Sequence, residues 1–132
     1  MEKYTRGKVL GKGSFGKASV VVSKVDGTTH VLKEIDISKM SKKERESSLQ
    51  EAQLLKALRH PNIVSCKETF LERNTLCIIM DHCAEGDLYQ ALKRRGNKLL
   101  PEETILDWTV QMCLGLKHVH DRKILHRDLK SQ

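Results

Sequence analysis

Eight residues near the start of the chain, Gly11-Lys-Gly-Ser-Phe-Gly16-Lys17-Ala18, restrict what it can fold into more than any other stretch. The three glycines follow a Gly-x-Gly-x-x-Gly spacing, and glycine lets backbone N–H groups approach a ligand that side chains would hold off. The flanks narrow the choice of loop. A dinucleotide fingerprint opens a helix after its third glycine, whereas here Val20-Val21-Val22 continues as strand. A Walker A loop has Gly-x-x-x-x-Gly-Lys followed by Ser or Thr for magnesium, and Ala18 has no oxygen to offer. A glycine-rich hairpin folded over phosphates remains, with an ordinary glycine hairpin as the plainer alternative.

The surroundings fit a sheet. Across 8–35, Val9-Leu10, Val20-Val21-Val22 and the run after Asp26-Gly27 predict three antiparallel strands, since Asp-Gly between β-prone runs marks a hairpin. Ser41-Lys-Lys-Glu44 is a capping box opening a helix that carries Leu55 and Leu58 on one face and ends by His60, ahead of Pro61. Two further strands are predicted over 66–70 and 75–80, joined by Glu72-Arg73-Asn74. After Gly86 a short helix from Asp87 is expected, then a long one with Pro101 in its first turn. Ile105, Trp108, Met112, Leu116 and Val119 recur at helical spacing, an apolar stripe that requires a covering surface. No internal repeat or low-complexity linker interrupts this order.

Composition removes several function classes. The 132 residues suffice for one domain with a core, and the charged opening has the character of no signal peptide. The longest apolar run, Leu76-Cys-Ile-Ile-Met80, is far below membrane-span length, so a soluble protein without a membrane partner is expected. Most of the net charge of +7 lies in the first half, where 13 basic face 7 acidic residues, against 11 and 10 in the second. Lys39, Lys42, Lys43 and Arg45, like Lys93, Arg94 and Arg95, read as solvated surface. Five aromatics in all, not interleaved with the basic residues, argue against nucleic-acid binding. Cys66, Cys77, Cys83 and Cys113 fit neither a zinc pattern nor a disulfide framework, so reduced thiols and no metal site are expected.

Two other places carry chemistry. Val31-Leu-Lys33 sets a lysine on the third strand among apolar neighbours, where an ammonium requires a partner. Glu51 shares a helix face with Leu55 and Leu58 and can supply one, although an acid at such a position is often just the edge of the stripe. Near the end of the sequence, Ile124-Leu-His126-Arg127-Asp128-Leu-Lys130-Ser-Gln132 contains His-Arg-Asp, weak evidence alone, in the context of a kinase catalytic loop.

Taken together these residues resemble a eukaryotic-type protein kinase domain, over the whole chain and in order. Gly-Lys-Gly-Ser-Phe-Gly-Lys-Ala, Leu32-Lys-Glu-Ile, Leu106-Asp-Trp and the run from His118 to Gln132 are similar to the NIMA-related kinase family. Asp128 followed by Lys130 resembles serine/threonine rather than tyrosine kinases. The resemblance implies an α+β fold. It implies that residues 1–82 form an ATP-binding N-lobe of five antiparallel strands with one helix, and 83–132 the hinge and first helices of an incomplete helical C-lobe.

It further implies that Gly11, Gly13 and Gly16 cover the ATP phosphates, with Leu10, Ala18 and Val31 against the adenine, and that Lys33, oriented by Glu51, binds the α- and β-phosphates. Met80 becomes the gatekeeper, the Asp81 carbonyl and Cys83 amide meet the adenine, and Asp87 reaches the ribose. Asp128 accepts the proton of a Ser or Thr hydroxyl on a protein substrate, and Lys130 steadies the transferred phosphoryl. Ala18 stands where kinases generally have valine. Leu55, Cys66 and His126 correspond to three members of a hydrophobic spine.

The family pattern continues past Gln132 with an asparagine, an Asp-Phe-Gly segment and an activation loop, the first two holding Mg2+. The expectation is therefore a piece of a serine/threonine kinase, inactive and poorly soluble by itself. The alternative is a non-catalytic module that holds nucleotide or a partner. Retention of Lys33, Glu51 and Asp128 favours the kinase. By resemblance the location is cytoplasmic, at microtubule-organising centres, cilia or flagella.

Overall fold

In the computed structural model, residues 1–13 and 16–131 are described; Ser14 and Phe15 of the glycine-rich segment and Gln132 of the final motif lie outside them. The chain divides into two units, Met1–Arg59 with Val64–His82, and His60–Ile63 with Cys83–Gln132.

The first unit is built on strands β1 (Tyr4–Gly13), β2 (Gly16–Ser23), β3 (Thr29–Asp36), β4 (Cys66–Glu72) and β5 (Thr75–Asp81), with helix α1 (Lys42–Ala57) between β3 and β4. All pairings are antiparallel, in the order β1-β2-β3-β5-β4. The first strand begins at Tyr4, ahead of the predicted Lys8, because Tyr4, Thr5 and Arg6 already pair with Ser23, Val22 and Val21. Ser23 and Thr28 close the Asp-Gly turn: the Ser23 N–H donates to the Thr28 carbonyl at 2.9 Å, and Gly27 takes φ 71°. Asp26 Oδ1 accepts from the Thr28 amide at 3.0 Å and its hydroxyl at 2.7 Å, an Asx turn that holds the Asp26 carboxyl down at about 2. The second turn is tighter than predicted. β4 runs on through Glu72, leaving Arg73, at φ 55°, and Asn74 to turn the chain.

Alternation along the strands creates two apolar faces. Val21, Leu32, Cys77 and Ile79 form one core cluster, flanked by Met1, Tyr4 and Phe70. Ile37, Leu76 and Ile78 form the other with Ala52 of α1, and Leu49, Leu55, Cys66 and Met80 pack around them. Leu55 and Cys66 thus meet in one cluster, and burial pushes the Cys66 thiol up. The capping box forms as predicted: Ser41 Oγ accepts from the Glu44 amide at 3.4 Å, and Glu44 Oε2 accepts from the Ser41 amide at 2.8 Å. The helix stops at Ala57, and Leu58 is already extended at ψ 104°.

The second unit contains α2 (Leu88–Arg95) and α3 (Glu102–Asp121). Pro101 is the residue before α3 rather than part of its first turn, since its ψ of 142° is extended and its carbonyl accepts the Ile105 amide at 3.1 Å. Glu102 and Glu103 then meet the positive end of the helix dipole. His60–Ile63 lies along α3 at Gly115, where a Cβ would come within 2.9 Å of the Asn62 carbonyl oxygen. Asn62 Nδ2 donates to Gln111 Oε1 at 3.1 Å, and the His60 and His118 rings lie 4.9 Å apart. The predicted stripe is covered only in part. Val119 is buried and Trp108 and Leu116 half-buried, but Ile105 and Met112 are 47% and 55% exposed.

Candidate active site

Strand register gathers the predicted residues before any side-chain preference matters. Ala18 stands opposite Lys33, Lys33 opposite Ile78, and Val31 opposite Met80. Cross-strand partners share a face, so Ala18, Lys33, Val31 and Met80 all lie on the face that carries α1. A cavity of about 440 Å³ opens there. Gly11, Gly13 and Gly16 line it at the hairpin, and Ala18 and Met80 add apolar wall. Lys33 reaches it from β3.

The glycines differ in what they require. A Cβ on Gly16, whose φ is 154°, would fall 1.9 Å from the Glu34 carbonyl oxygen, while around Gly11 and Gly13 nothing lies within 4 Å. Gly16 is thus dictated by the sheet, and Gly11 and Gly13 leave space open toward the cavity. Lys12 and Lys17 also line it, and sequence reasoning passed over both. Their signal was alternation with glycine, which places them opposite each other in the β1–β2 register. By the same register Lys12 and Lys17 share the face of Glu34, so Lys33 is the lysine that the strands set on the cavity face, and among the described residues it forms no ion pair. Open hairpin backbone with one lysine free of an acidic partner suits an anion over an apolar wall.

Other predicted residues are placed differently. Among the described residues no ion pair joins Lys33 to Glu51, which is exposed on α1 beside the buried Ala52. The helix turns its Leu49–Ala52–Leu55 edge to the sheet, and Glu51, one residue off that edge, faces outward. Leu10 is 51% exposed, and neither it nor Val31 lines the cavity. The Asp81 carboxylate pairs with Lys67 at 3.0 Å, and its amide donates to the Ser65 carbonyl. In the second unit Cys83 is exposed, its carbonyl accepting the Gly86 amide at 3.1 Å. Asp87 caps α2, Oδ1 accepting from the Gln90 amide at 2.7 Å.

The loop after α3 is exposed. Asp128 and Lys130 pair at 3.0 Å, and the Asp128 amide donates to His126 Nδ1 at 3.3 Å. Arg127 takes φ 63°, a region unusual for a residue with a Cβ. The Ser131 carbonyl accepts the Tyr89 amide at 2.8 Å, tying the loop to α2. Among the described residues no three His, Cys, Asp or Glu side chains are grouped to hold a metal ion.

Comparison with known proteins agrees with the order of these elements. Residues 4–132 match the family model described as protein kinase domain. The chain is 55% identical over its full length to the mouse (Mus musculus) serine/threonine-protein kinase Nek1, of which it covers 11%. It is 47% identical to human (Homo sapiens) serine/threonine-protein kinase Nek5, covering 19%, and 45% identical to mouse Nek3, covering 25%, again over all of the chain. It therefore spans no more than a quarter of the length of these relatives. A glycine hairpin on a five-stranded antiparallel sheet, Lys33 beneath it, and a match running almost from end to end place this chain in the protein kinase domain family.

Proposed function

We propose that the chain supplies the ATP-binding unit and the catalytic loop of a serine/threonine protein kinase of the NIMA-related kind. The observation that carries this is the cavity under the glycine hairpin, bordered by Gly11, Gly13 and Gly16, reached by Lys33 and walled by Ala18 and Met80. ATP brings a transferable γ-phosphoryl group. The hairpin amides and Lys33 bind its phosphates, Glu51 swings toward Lys33 to orient it, and Leu10 and Val31 close on the adenine. The Asp81 carbonyl and Cys83 amide hold the adenine edge, and Asp87 the ribose. Asp128 takes the proton from a Ser or Thr hydroxyl of a protein substrate while Lys130, already 3.0 Å from its carboxylate, steadies the phosphoryl group. None of the described residues is assigned to Mg2+. Among the described residues no helix is long and apolar enough to cross a membrane, and the location that goes with this function is cytoplasmic, at microtubule-organising centres, cilia or flagella.

The test is a thermal-shift titration of this chain with ATP. Lys33→Met abolishes the shift and Asp128→Asn leaves it; an undiminished shift in Lys33→Met means that nucleotide binds elsewhere. A second function, holding nucleotide without turnover, is favoured by the exposed, unpaired position of Glu51. Phosphate transfer by homogeneous chain, lost in Asp128→Asn, decides against it.

A further inference from the structure

Both legs of the glycine hairpin converge on Glu34, a residue with no part in the function proposed above. It follows Lys33 on β3 and points to the opposite face of the sheet, as Leu32 does. Its carboxylate receives both arms of the Arg6 guanidinium, Nη1 donating to Oε2 at 2.8 Å and Nη2 to Oε1 at 2.6 Å. Arg6 is on β1 and Glu34 on β3, so the pair spans β2. The backbone of Glu34 meets the other leg: its carbonyl oxygen occupies the place of a Gly16 side chain.

Arg6 also marks a change in the ladder. The β1–β2 register shifts between Arg6 and Val9 and again between Val9 and Gly11. Such irregularities leave residues unpaired and bend the strand. Arg6 is thus the last regular pairing on β1 before the ladder turns irregular toward the hairpin. Bidentate guanidinium–carboxylate pairs fix orientation as well as distance. In agreement, the hydrogen bond to Glu34 raises the Arg6 pKa further, and the same bond lowers that of Glu34.

We infer that Glu34, together with Arg6, is a positioning residue that sets the height of the glycine hairpin over Lys33 and so the grip on a ligand's phosphates. It ties β1 by its carboxylate, and its carbonyl lies close against Gly16 at the start of β2, one residue from Lys33. This rests on the nucleotide site proposed above. Because the Arg6 side chain is 44% exposed and belongs to neither core cluster, its loss leaves both clusters intact and frees the hairpin.

The experiment compares ATP and adenosine affinities of the chain, by calorimetry, for the unmodified protein, Glu34→Gln and Arg6→Gln, with amide hydrogen exchange at Lys12, Gly13 and Lys17 read without ligand. Each variant is expected to lose about three- to tenfold in ATP affinity, the scale of a well-formed bidentate surface pair. Adenosine affinity stays within about twofold, and the hairpin amides exchange faster. Equal losses for ATP and adenosine overturn the positioning role in favour of a general structural one. Unchanged ATP affinity with unchanged exchange overturns it outright. If the unmodified chain binds neither ligand, the nucleotide site fails, and exchange alone decides: faster hairpin exchange in both variants supports the clamp and unchanged exchange overturns it.

Discussion

Gly16→Ala and Gly13→Ala, three residues apart in one motif, are expected to act on different properties. At Gly16 the new methyl would be placed 1.9 Å from the Glu34 carbonyl oxygen, well inside the 3.0 Å that real Cβ atoms keep. Neither side can yield freely, since Lys17 and Glu34 are register partners and Ala18 and Lys33 continue the ladder. Relief requires giving up one or two ladder hydrogen bonds, at about 1 kcal/mol each. A side chain at φ 154° adds strain of about 1–3 kcal/mol. The total, about 2–5 kcal/mol, reads out in native-state hydrogen exchange at the amides of Leu32 and Ile79, both fully buried in the sheet. Protection there falls by a factor of roughly thirty to a few thousand. At Gly13 nothing lies within 4 Å, so alanine fits and, by restricting the unfolded chain, leaves protection unchanged or raises it by up to about 1 kcal/mol. ATP affinity nevertheless falls, because the methyl enters the cavity. Equal loss of protection in the two variants would refute the close approach of Gly16 to Glu34.

Ser41→Ala removes the acceptor for the Glu44 amide and is expected to cost α1 about 1 kcal/mol, seen as faster exchange at the Glu44 and Arg45 amides. Near-neutral exchange there would show that the box contributes nothing. His118 is half-buried; burial, Arg122 and His60 lower its pKa below the ordinary 6.5, while Asp121 opposes them. Between the folded value and 6.5 the unfolded chain holds the extra proton, so stability falls as pH drops through 6.5. Thermal unfolding followed by Trp108 fluorescence, from about pH 7.5 to about pH 5.5, should show this decline in the unmodified chain and a shallower one in His118→Phe. Parallel profiles would remove His118 as its source.

Signals contained within a few residues were legible in the sequence. The Asp26-Gly27 turn and the Ser41–Glu44 box each lie inside one short stretch, and both form as expected. The glycine spacing and Lys33 lead to one cavity because the registers of β2, β3 and β5 follow from apolar alternation. Less was legible where distant segments decide. Pro101 has a φ that suits either the cap or the first turn, and only the chain's approach to α3 selects the cap. Facing Lys33 requires α1 to be rotated as well as amphipathic, and Ala52, with no charge to attract notice, sets that rotation. Arg6 and Glu34 lie 28 residues apart and meet across an intervening strand, a pairing that no local pattern announces. His60–Ile63 sits between α1 and β4 in the chain, yet it belongs with α3 through Gly115 and Gln111.

That last assignment changes how the protein can be taken apart. Because His60–Ile63 is an inset of the second unit within the first, the backbone passes between units three times, after Arg59, after Ile63 and after His82. A single cleavage after His82 would leave two fragments, with the four-residue inset on one and its docking site at Gln111 and Gly115 on the other. Expressing 1–82 alone would strip the Asn62 amide of its acceptor and leave the His60 ring without the neighbour at 4.9 Å. The natural dissection is therefore not a shorter chain but a complementation experiment, in which residues 83–132 are supplied as a separate strand to a fragment that already carries their docking segment.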